Sequence, residues 1–277
     1  MVEPCRGKQV ADAPCSLAIV VGSPSRAGRG KKNRSDRSRG TTATECRTRR
    51  RGRPLKDDRL MFSAMIYVLR TGAPWRDLPD CFGRWTTAYS RFRRWCASGL
   101  FARMPGRLAR SAQGRLRHLD CSPIKLHQDG ANLPGGQAAQ AMGRTKGGLN
   151  TKLAAVVDAR GRALAVCLAS GPRHDQHAVL PVLGATRGRR LVGDKGFDSA
   201  IFRAQLLAQR TRSCIPPRRS SRRAHAWHRG YHRQRHHVEN FFGRIKRHRR
   251  ISTRYDKLAS TFLGFVHLAA ALDWLTP

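Results

Sequence analysis

The chain contains few acidic residues, so the positions of three of them are informative. It has 17 Asp+Glu against 55 Lys+Arg, and Glu239 is the single glutamate beyond residue 45. Asp120 lies inside an apolar strand pattern, and Asp194 ends a later one. A carboxylate in either place costs free energy unless a cation or a metal ion pairs with it. Together, oxygens of Asp120, Asp194 and Glu239 would hold Mg²⁺, and paired ions of this kind promote in-line displacement at a phosphodiester.

Two cations accompany Glu239 on the same helix edge. The predicted buried face of that helix consists of apolar residues spaced at i, i+3, i+4 and i+7, which are Val238, Phe241, Phe242 and Ile245. Glu239 lies about 100° from this face, and Arg235 before it and Lys246 after it project to nearly the same side. This edge suits a metal ligand with phosphate-binding cations beside it. A surface salt bridge between Glu239 and a neighbouring arginine is the alternative.

Two further groups of residues offer alternative sites. Asp129 competes with Asp120 for the first acidic position, but Asp129 falls on the loop side of the strand pattern. A histidine cluster ahead of Glu239 has near-helical spacing and suggests zinc; its members are His225, His228, His232, His236 and His237. No cysteine has ligand spacing with these histidines, and alternating His and Arg equally suits a surface that faces phosphate. The acidic site with Asp120 is therefore preferred.

Strand and helix patterns from residue 115 onward place these acids in one sheet. Strands are predicted at residues 115–127, 151–158, 162–170, 189–194 and 212–217. Helices are predicted at residues 177–184, 199–210 and 236–250. Residues 130–150, between the first two strands, are rich in Gly, Gln and Ala and are predicted to form a mobile loop. Three strands followed by alternating helix and strand predict an α/β fold with a mixed sheet and flanking helices, in the order of the ribonuclease H type.

The preceding region predicts a small helical module of the helix-turn-helix type. Asp57 can cap a first helix that Gly72 ends. The second helix has a stripe of aromatic residues at i, i+4, i+7 and i+10, which are Trp85, Tyr89, Phe92 and Trp95. Arg91 and Arg94 lie on other faces and are candidates for contacting DNA. The alternative is a helical module without a DNA contact, whose aromatic residues simply form its core.

Charge and composition favour a nucleic-acid partner. The net charge is +38 in 277 residues, which opposes compaction unless a polyanion neutralises it. An anionic membrane is the weaker alternative, because His267 and Asp273 interrupt the apolar residues 258–275 and predict a buried helix. The eight cysteines occur singly, which indicates a reduced cytoplasmic chain, and no export signal is evident. We predict a disordered basic tail at residues 1–50, a helical DNA-binding module at 51–110 and a catalytic domain at 111–277.

Five stretches of the chain, in order, resemble the DDE transposases of bacterial insertion sequences, in particular the large family typified by insertion sequence number five. They are RTGAPWRDLPDCFGRW, AMGRTKGGLNTKLAAVVDARGRAL, LVGDKGFDS, CIPPRR and HHVENFFGRIKRHRRISTRYDK. The resemblance covers roughly residues 52–276, and the last stretch is highly specific. It implies that Asp120, Asp194 and Glu239 are the metal-binding triad of a ribonuclease H-like core, with two Mg²⁺ or Mn²⁺ ions.

The resemblance also implies how DNA would be bound and processed. In relatives the glutamate belongs to a Tyr, Arg, Glu, Lys motif, which Tyr231, Arg235, Glu239 and Lys246 match here. Three residues separate Tyr231 from Arg235, where relatives commonly have two. These residues and Lys195 would bind the DNA backbone. Water would cut the terminal inverted repeats of the element, and the freed 3′-hydroxyl would attack target DNA. Synapsis of two ends implies a homodimer or a larger assembly, associated with the nucleoid in the bacterial cytoplasm.

Two other functions would use part of the same features. A ribonuclease H-like nuclease or resolvase would use the three acids without joining strands. A non-catalytic basic DNA-binding protein would need only the positive charge. The transposase is favoured, because it explains the acids and the ordered stretches together.

Overall fold

The computed structural model describes residues 56–109, 116–131, 136–186, 188–219, 221 and 227–276. The disordered tail predicted for residues 1–50 lies outside the described residues. The first helices are α1 (Asp58–Thr71), α2 (Trp85–Ala97) and α3 (Leu100–Ala109). As predicted, the Asp57 carboxylate accepts a hydrogen bond from the Arg59 backbone N–H at 3.1 Å and caps α1, and Gly72 ends it at φ +73°.

The sheet has the strand order of a ribonuclease H-like fold. Its strands are β1 (Leu116–Leu126), β2 (Gly143–Thr145), β3 (Gly148–Asp158), β4 (Ala163–Ser170), β5 (Arg190–Val192), β6 (Arg212–Cys214) and β7 (Thr253–Arg254). The central strand β1 pairs antiparallel with β3 on one side and parallel with β5 and β7 on the other. Because β4 pairs with β3 and β6 pairs with β5, the main order is β4-β3-β1-β5-β6. The predicted α/β fold with a mixed sheet is confirmed.

The described residues also contain the helices that flank or follow these strands. They are α4 (Asp175–Gly184), α5 (Ala200–Ala208), α6 (Arg229–Arg233), α7 (His236–Ile245), α8 (Arg249–Ser252) and α9 (Ala259–Leu275). Two predictions need correction. The helix predicted at 236–250 ends at Ile245, and a turn separates it from α8. The predicted mobile loop at 130–150 contains β2, and Gln140 there accepts a hydrogen bond from the Ala259 backbone N–H at 2.8 Å.

Side chains alternate between two apolar layers on the faces of the sheet. Leu153 and Val157 of β3 pack in one layer with α7, α9 and the N-terminal helices, whereas Ala154 packs in the other layer with α4 and α5. The same alternation in β1 puts Ile124 in the first layer and Leu119 in the second. Side chains at even-numbered positions of β1 therefore face the layer that contains α7.

The N-terminal helices share their core with the C-terminal helix. The Phe92 ring of α2 stacks on Phe265 of α9 with ring centroids 4.3 Å apart, and Trp75 packs against both rings. Most of α9 is buried, as predicted for residues 258–275. None of the described helices combines the length and the apolarity needed to cross a bilayer. One apolar core cluster contains described residues from both sides of the predicted 110/111 boundary, and the division into three domains stays a prediction from the sequence.

His267 is buried in the middle of α9. The residue is 5% exposed, and neither ring nitrogen has a hydrogen-bond partner among the described residues. Burial lowers the pKa of this imidazole to about 4. The imidazole is therefore neutral at pH 7, and the folded protein resists its protonation as the pH falls.

We expect acid to destabilise the protein partly through His267. The unfolded chain binds a proton at this imidazole near pH 6.5 and the folded chain only near pH 4, so stability is lost as the pH falls from 6.5 towards 4. Between pH 7 and pH 5 this costs about 2 kcal/mol. The free energy of unfolding, measured with urea at both pH values, should fall by about 2 kcal/mol less in His267→Leu than in the wild type. The control His177→Leu, at an exposed position in α4, should lose as much stability as the wild type. An unchanged pH dependence in His267→Leu would contradict the expectation.

Candidate active site

Asp120 lies in the middle of β1, and its side chain faces α7. The alternation of the strand places it on this face together with His118 and Ser122. Its carboxylate accepts a hydrogen bond from the Cys121 backbone N–H at 2.8 Å and is 22% exposed. Burial raises the pKa of Asp120, whereas the Cys121 N–H and the charge of Arg235 lower it. A carboxylate held here needs a positive partner to stay ionised.

Arg235 is that positive partner, and it links Asp120 to Glu239. Its Nη1 donates to Asp120 Oδ2 at 2.9 Å, and its Nη2 donates to Glu239 Oε1. Arg235 precedes the first residue of α7, and Glu239 lies in the first turn, so a spacing of four residues puts both on one helix edge. The Glu239 side chain is 49% exposed. The structure therefore brings Asp120, Arg235 and Glu239 together, as the sequence predicts.

Asp194 follows β5, the strand next to β1. Val192 of β5 pairs with His118 of β1, so the chain leaves β5 beside the segment of β1 that contains Asp120. The charges of Asp194 and Glu239 both raise the pKa of Asp120. Asp194 and Glu239 thus each lie within electrostatic reach of Asp120, although the three acids belong to different elements.

The acids are paired with a cation rather than gathered into a compact cluster. In the described part of the chain, no group of three or more His, Cys, Asp or Glu side chains is arranged to hold a metal ion. The Arg235 guanidinium lies between Asp120 and Glu239 and supplies the positive charge there. The neighbouring acids offer only oxygen ligands, which Mg²⁺ and Mn²⁺ prefer. The residues present therefore fit a divalent ion that replaces Arg235.

α7 is fixed against the sheet at more than one point. Lys246 Nζ donates to Ser122 Oγ at 2.6 Å, and burial lowers the pKa of this ammonium group. Arg244 pairs with Asp273 of α9 and donates to the Gly161 carbonyl oxygen at 2.7 Å. Gly161 lies in the β3–β4 turn at φ +80°, a conformation that glycine adopts readily. The position of α7 therefore depends on the β3–β4 turn and on α9.

Three other residues predicted to bind DNA lie in three different places. Lys195 directly follows Asp194 and is exposed, and Arg94 is exposed on α2. Tyr231 lies beside Arg190, whose guanidinium carbon is 4.9 Å from the ring centroid. These two residues line a pocket of about 280 Å³ at the edge formed by β5 and β6.

Arg91 does not lie at the surface, where a residue that contacts DNA must lie. Its side chain is buried in α2 and pairs with Asp58 at the start of α1. Its guanidinium also lies 5.8 Å from the ring centroid of Trp95. The expectation that Arg91 contacts DNA is corrected here, because its side chain is buried and is paired with an acid 33 residues earlier.

The alternative sites are not assembled among the described residues. Asp129 lies in a turn after the end of β1, is exposed, and pairs with His127 at 3.1 Å. His225 of the histidine cluster lies outside the described residues. The other four members of that cluster do not form a group that could hold a metal ion. Asp120 remains the preferred first acid.

Sequence reasoning missed the residue that braces the turn after Asp194. Arg218 Nε donates to the Lys195 carbonyl oxygen at 3.0 Å, and its Nη2 donates to the carbonyl oxygen of Gly196. Its backbone N–H donates to the Asp198 carboxylate at 2.8 Å. The stretch CIPPRR, which contains Arg218, has no periodic pattern, so its resemblance to the family is the signal that could have marked this residue.

Two families of known proteins match separate regions of the chain, one near each end. Residues 42–104 match a family described as "Putative transposase of IS4/5 family", and residues 191–276 match one described as "Transposase DDE domain". The Brucella ovis protein "Putative transposase for insertion sequence element IS6501" is 34% identical over 131 residues, which cover 46% of this chain and 99% of that protein. The Sinorhizobium fredii protein "Uncharacterized protein y4sN" is 32% identical over 78 residues, which cover 28% of this chain and 62% of that protein.

One solved structure aligns with most of the chain at low similarity. It is described as "Crystal structure of a pre-cleavage Mos1 transpososome", with 10% identity and a TM-score of 0.26 over 86% of this chain and 80% of that chain. A TM-score of this size supports no argument about function. The ribonuclease H-like assignment rests on the strand order described above.

Gly161 is expected to set the position of the first turn of α7. A Cβ atom at Gly161 would lie 2.8 Å from the His237 carbonyl oxygen, in addition to the strain of a positive φ. Gly161→Ala should therefore lower the free energy of unfolding by about 2 kcal/mol or more and speed hydrogen exchange in that turn. Gly148→Ala is the matched control, because Gly148 has φ +96° and no described atom within 4 Å of such a Cβ. Equal effects of the two substitutions would refute a positioning role for Gly161.

Proposed function

The chain belongs to the insertion-sequence transposases of the IS4/5 family, and on that premise we propose that Asp120, Asp194 and Glu239 are its catalytic acids. It is a DDE-type enzyme that acts on DNA. The single observation that best supports these three residues is that one guanidinium binds both Asp120 and Glu239, beside the strand that ends at Asp194. The proposed reaction cuts the element ends with water and then joins the freed 3′-hydroxyls to target DNA.

We assign the three acids as ligands of two Mg²⁺ or Mn²⁺ ions. When bound, such ions activate the attacking oxygen and stabilise the leaving oxygen of a phosphodiester. The chain itself sets where the ligands lie. Asp120 is held by the central strand β1, and Asp194 is held by the braced turn after β5. Glu239 is more exposed than Asp120, so its carboxylate has room to turn from Arg235 towards an ion.

The cations that neighbour the acids are assigned to the DNA backbone. Arg235 and Lys246 lie at the two ends of α7, and Lys195 is exposed at the end of β5. Tyr231 extends this surface along the β5–β6 edge. Each phosphate that such cations neutralise releases counterions, so binding should weaken as salt rises. Arg94, exposed on α2, is assigned to recognition of the terminal inverted repeats.

Joining two ends of one element to a target requires two active sites at one synapse. We therefore assign a homodimer or a larger assembly to the DNA-bound state. Its substrates would be the terminal inverted repeats and target DNA of the bacterial nucleoid, in the cytoplasm.

Incubation with labelled terminal repeats, a supercoiled target plasmid and Mg²⁺ tests the proposed reaction. Cleaved ends and joined products are both expected. Cleavage without joined product would identify a nuclease or resolvase, and binding without cleavage would identify a non-catalytic DNA-binding protein. Either result would refute strand transfer by this chain.

Removing any one of the three acids should abolish cleavage while sparing DNA binding. Asp120→Asn, Asp194→Asn and Glu239→Gln should each slow end cleavage by on the order of a thousandfold, because each removes a metal ligand. Affinity for end DNA without metal should be equal or higher, because less negative charge opposes the polyanion. Asp80→Asn makes the same change at an exposed acid remote in sequence from the three acids and should cleave like the wild type. Full activity of Asp120→Asn would overturn its assignment.

Arg235 is expected to compete with divalent ions for Asp120 and Glu239. Arg235→Gln removes this competitor, so Mn²⁺ should bind the DNA-free protein about tenfold more tightly in calorimetry. The same variant should bind DNA more weakly, because it loses a phosphate contact. Arg233→Gln is the matched control, since Arg233 is an exposed arginine nearby in the chain. An unchanged Mn²⁺ affinity in Arg235→Gln would show that Arg235 does not stand in for the ion.

A further inference from the structure

A second surface that combines aromatic and basic residues lies beyond the far end of β1. It is an open cleft of about 1130 Å³ between the α1–α2 connection and the chain that leads into α9. We call it the aromatic cleft and define it by the lining residues Trp75, Arg76, Trp85, Tyr89, Tyr255 and Lys257. Gln128, just after β1, also lines it. Asp120 lies six residues before the end of that strand, so about 20 Å separates Asp120 from the cleft.

Several aromatic rings in the aromatic cleft are only half buried. Trp85, Tyr89 and Tyr255 each retain access to solvent. Trp85 has Arg76 at its ring, with the guanidinium carbon 6.0 Å from the centroid. A ring that needed only to fill the core would be covered, as Phe92 is at 0% exposure. Accessible aromatic faces of this kind stack on unpaired nucleobases.

The charges around the aromatic cleft favour a polyanion. Asp256 in its wall is neutralised by Arg250 through two hydrogen bonds of 3.1 Å, and both side chains are buried. Asp129 also lines the cleft and is its one exposed acid among the described residues, against the two exposed cations Arg76 and Lys257. Arg76 and Lys257 are exposed, and neither forms an ion pair with another described residue. Phosphate groups entering the cleft would meet these two cations.

Trp75 forms part of the inner wall of the aromatic cleft. The residue lines the cleft and is 8% exposed, and its indole N–H has no hydrogen-bond partner among the described residues. Buried donors in folded proteins nearly always have a partner. The indole nitrogen is itself buried, so the accessible Trp85, Tyr89 and Tyr255 rings are the groups that a ligand in the cleft would meet.

We propose that the aromatic cleft binds an unpaired nucleotide of DNA, with the base stacked on Trp85 and the adjoining phosphates beside Arg76 and Lys257. The choice of DNA as the ligand rests on the proposed function. An unpaired base is required because the faces of bases in a duplex are covered by their neighbours. The 20 Å from Asp120 corresponds to about six base pairs of rise, so one DNA molecule can reach both sites.

Binding of the full chain to labelled single-stranded dT12 and to a 12-base-pair duplex, measured by fluorescence anisotropy in EDTA, tests this site. Trp85→Leu should weaken binding of dT12 by on the order of tenfold and change duplex binding by less than about twofold. Trp85→Phe should restore most of the loss. Trp95→Leu is the matched control, since Trp95 is a half-buried tryptophan of α2 outside the cleft. Equal loss for single strand and duplex, or no loss for dT12, would overturn the proposal.

Surface variants keep the test decisive if Trp85→Leu does not fold. Lys257→Gln should weaken dT12 binding more than Lys125→Gln, which removes an exposed lysine of β1 outside the cleft. Equal effects of the two lysine variants would again overturn the cleft as the site. Because these measurements need neither metal nor cleavage, they can succeed or fail separately from the catalytic role of Asp120, Asp194 and Glu239.

Discussion

The candidate site depends on how the half-buried carboxylate of Asp120 is neutralised. A charge in the central strand, facing an apolar layer, is costly unless a partner of opposite sign contacts it. Arg235 provides that contact and binds Glu239 with the same guanidinium. One side chain therefore fixes the distance between β1 and the start of α7. It also keeps two like charges close together that would otherwise repel each other.

This arrangement requires parts of the chain that contain no acid of the site. The β3–β4 turn supplies the Gly161 carbonyl oxygen to Arg244, and α9 supplies Asp273 to the same guanidinium. The last residues of α9 also hold the turn, because Trp274 Nε1 donates to the Ala163 carbonyl oxygen at 2.8 Å. α7 is thus positioned by contacts that span more than 80 residues of sequence. The acids reach their places only when the whole sheet and its last helix are formed.

The sequence indicates where Asp120 and Glu239 lie because each belongs to a regular pattern. Alternation in β1 identifies Asp120 as facing a helix, and the 3.6-residue period of α7 sets the edge that holds Glu239. Long-range pairing was not predictable in the same way. Arg91 has the spacing of a surface residue, but its side chain is buried and pairs with Asp58 at the start of α1. β2 is three residues long in a glycine-rich segment, and its pairing with β3 leaves no periodic trace. Tyr231 is placed by a sequence motif, and its contact with Arg190 of β5 is another long-range pairing that the sequence does not indicate.

The stacking of Phe92 on Phe265 has a mechanical consequence for the proposed recognition of one DNA segment by α2 and cleavage of another at the acids. A helix packed this tightly into the common core cannot swing independently of the catalytic sheet. The separation between the bases read by α2 and the phosphate that is cut would then be set by the protein. Insertion of one base pair between them would shift the scissile bond by about 3.4 Å and rotate it by about a tenth of a turn. Element ends would thus be selected for their length as well as for their base sequence.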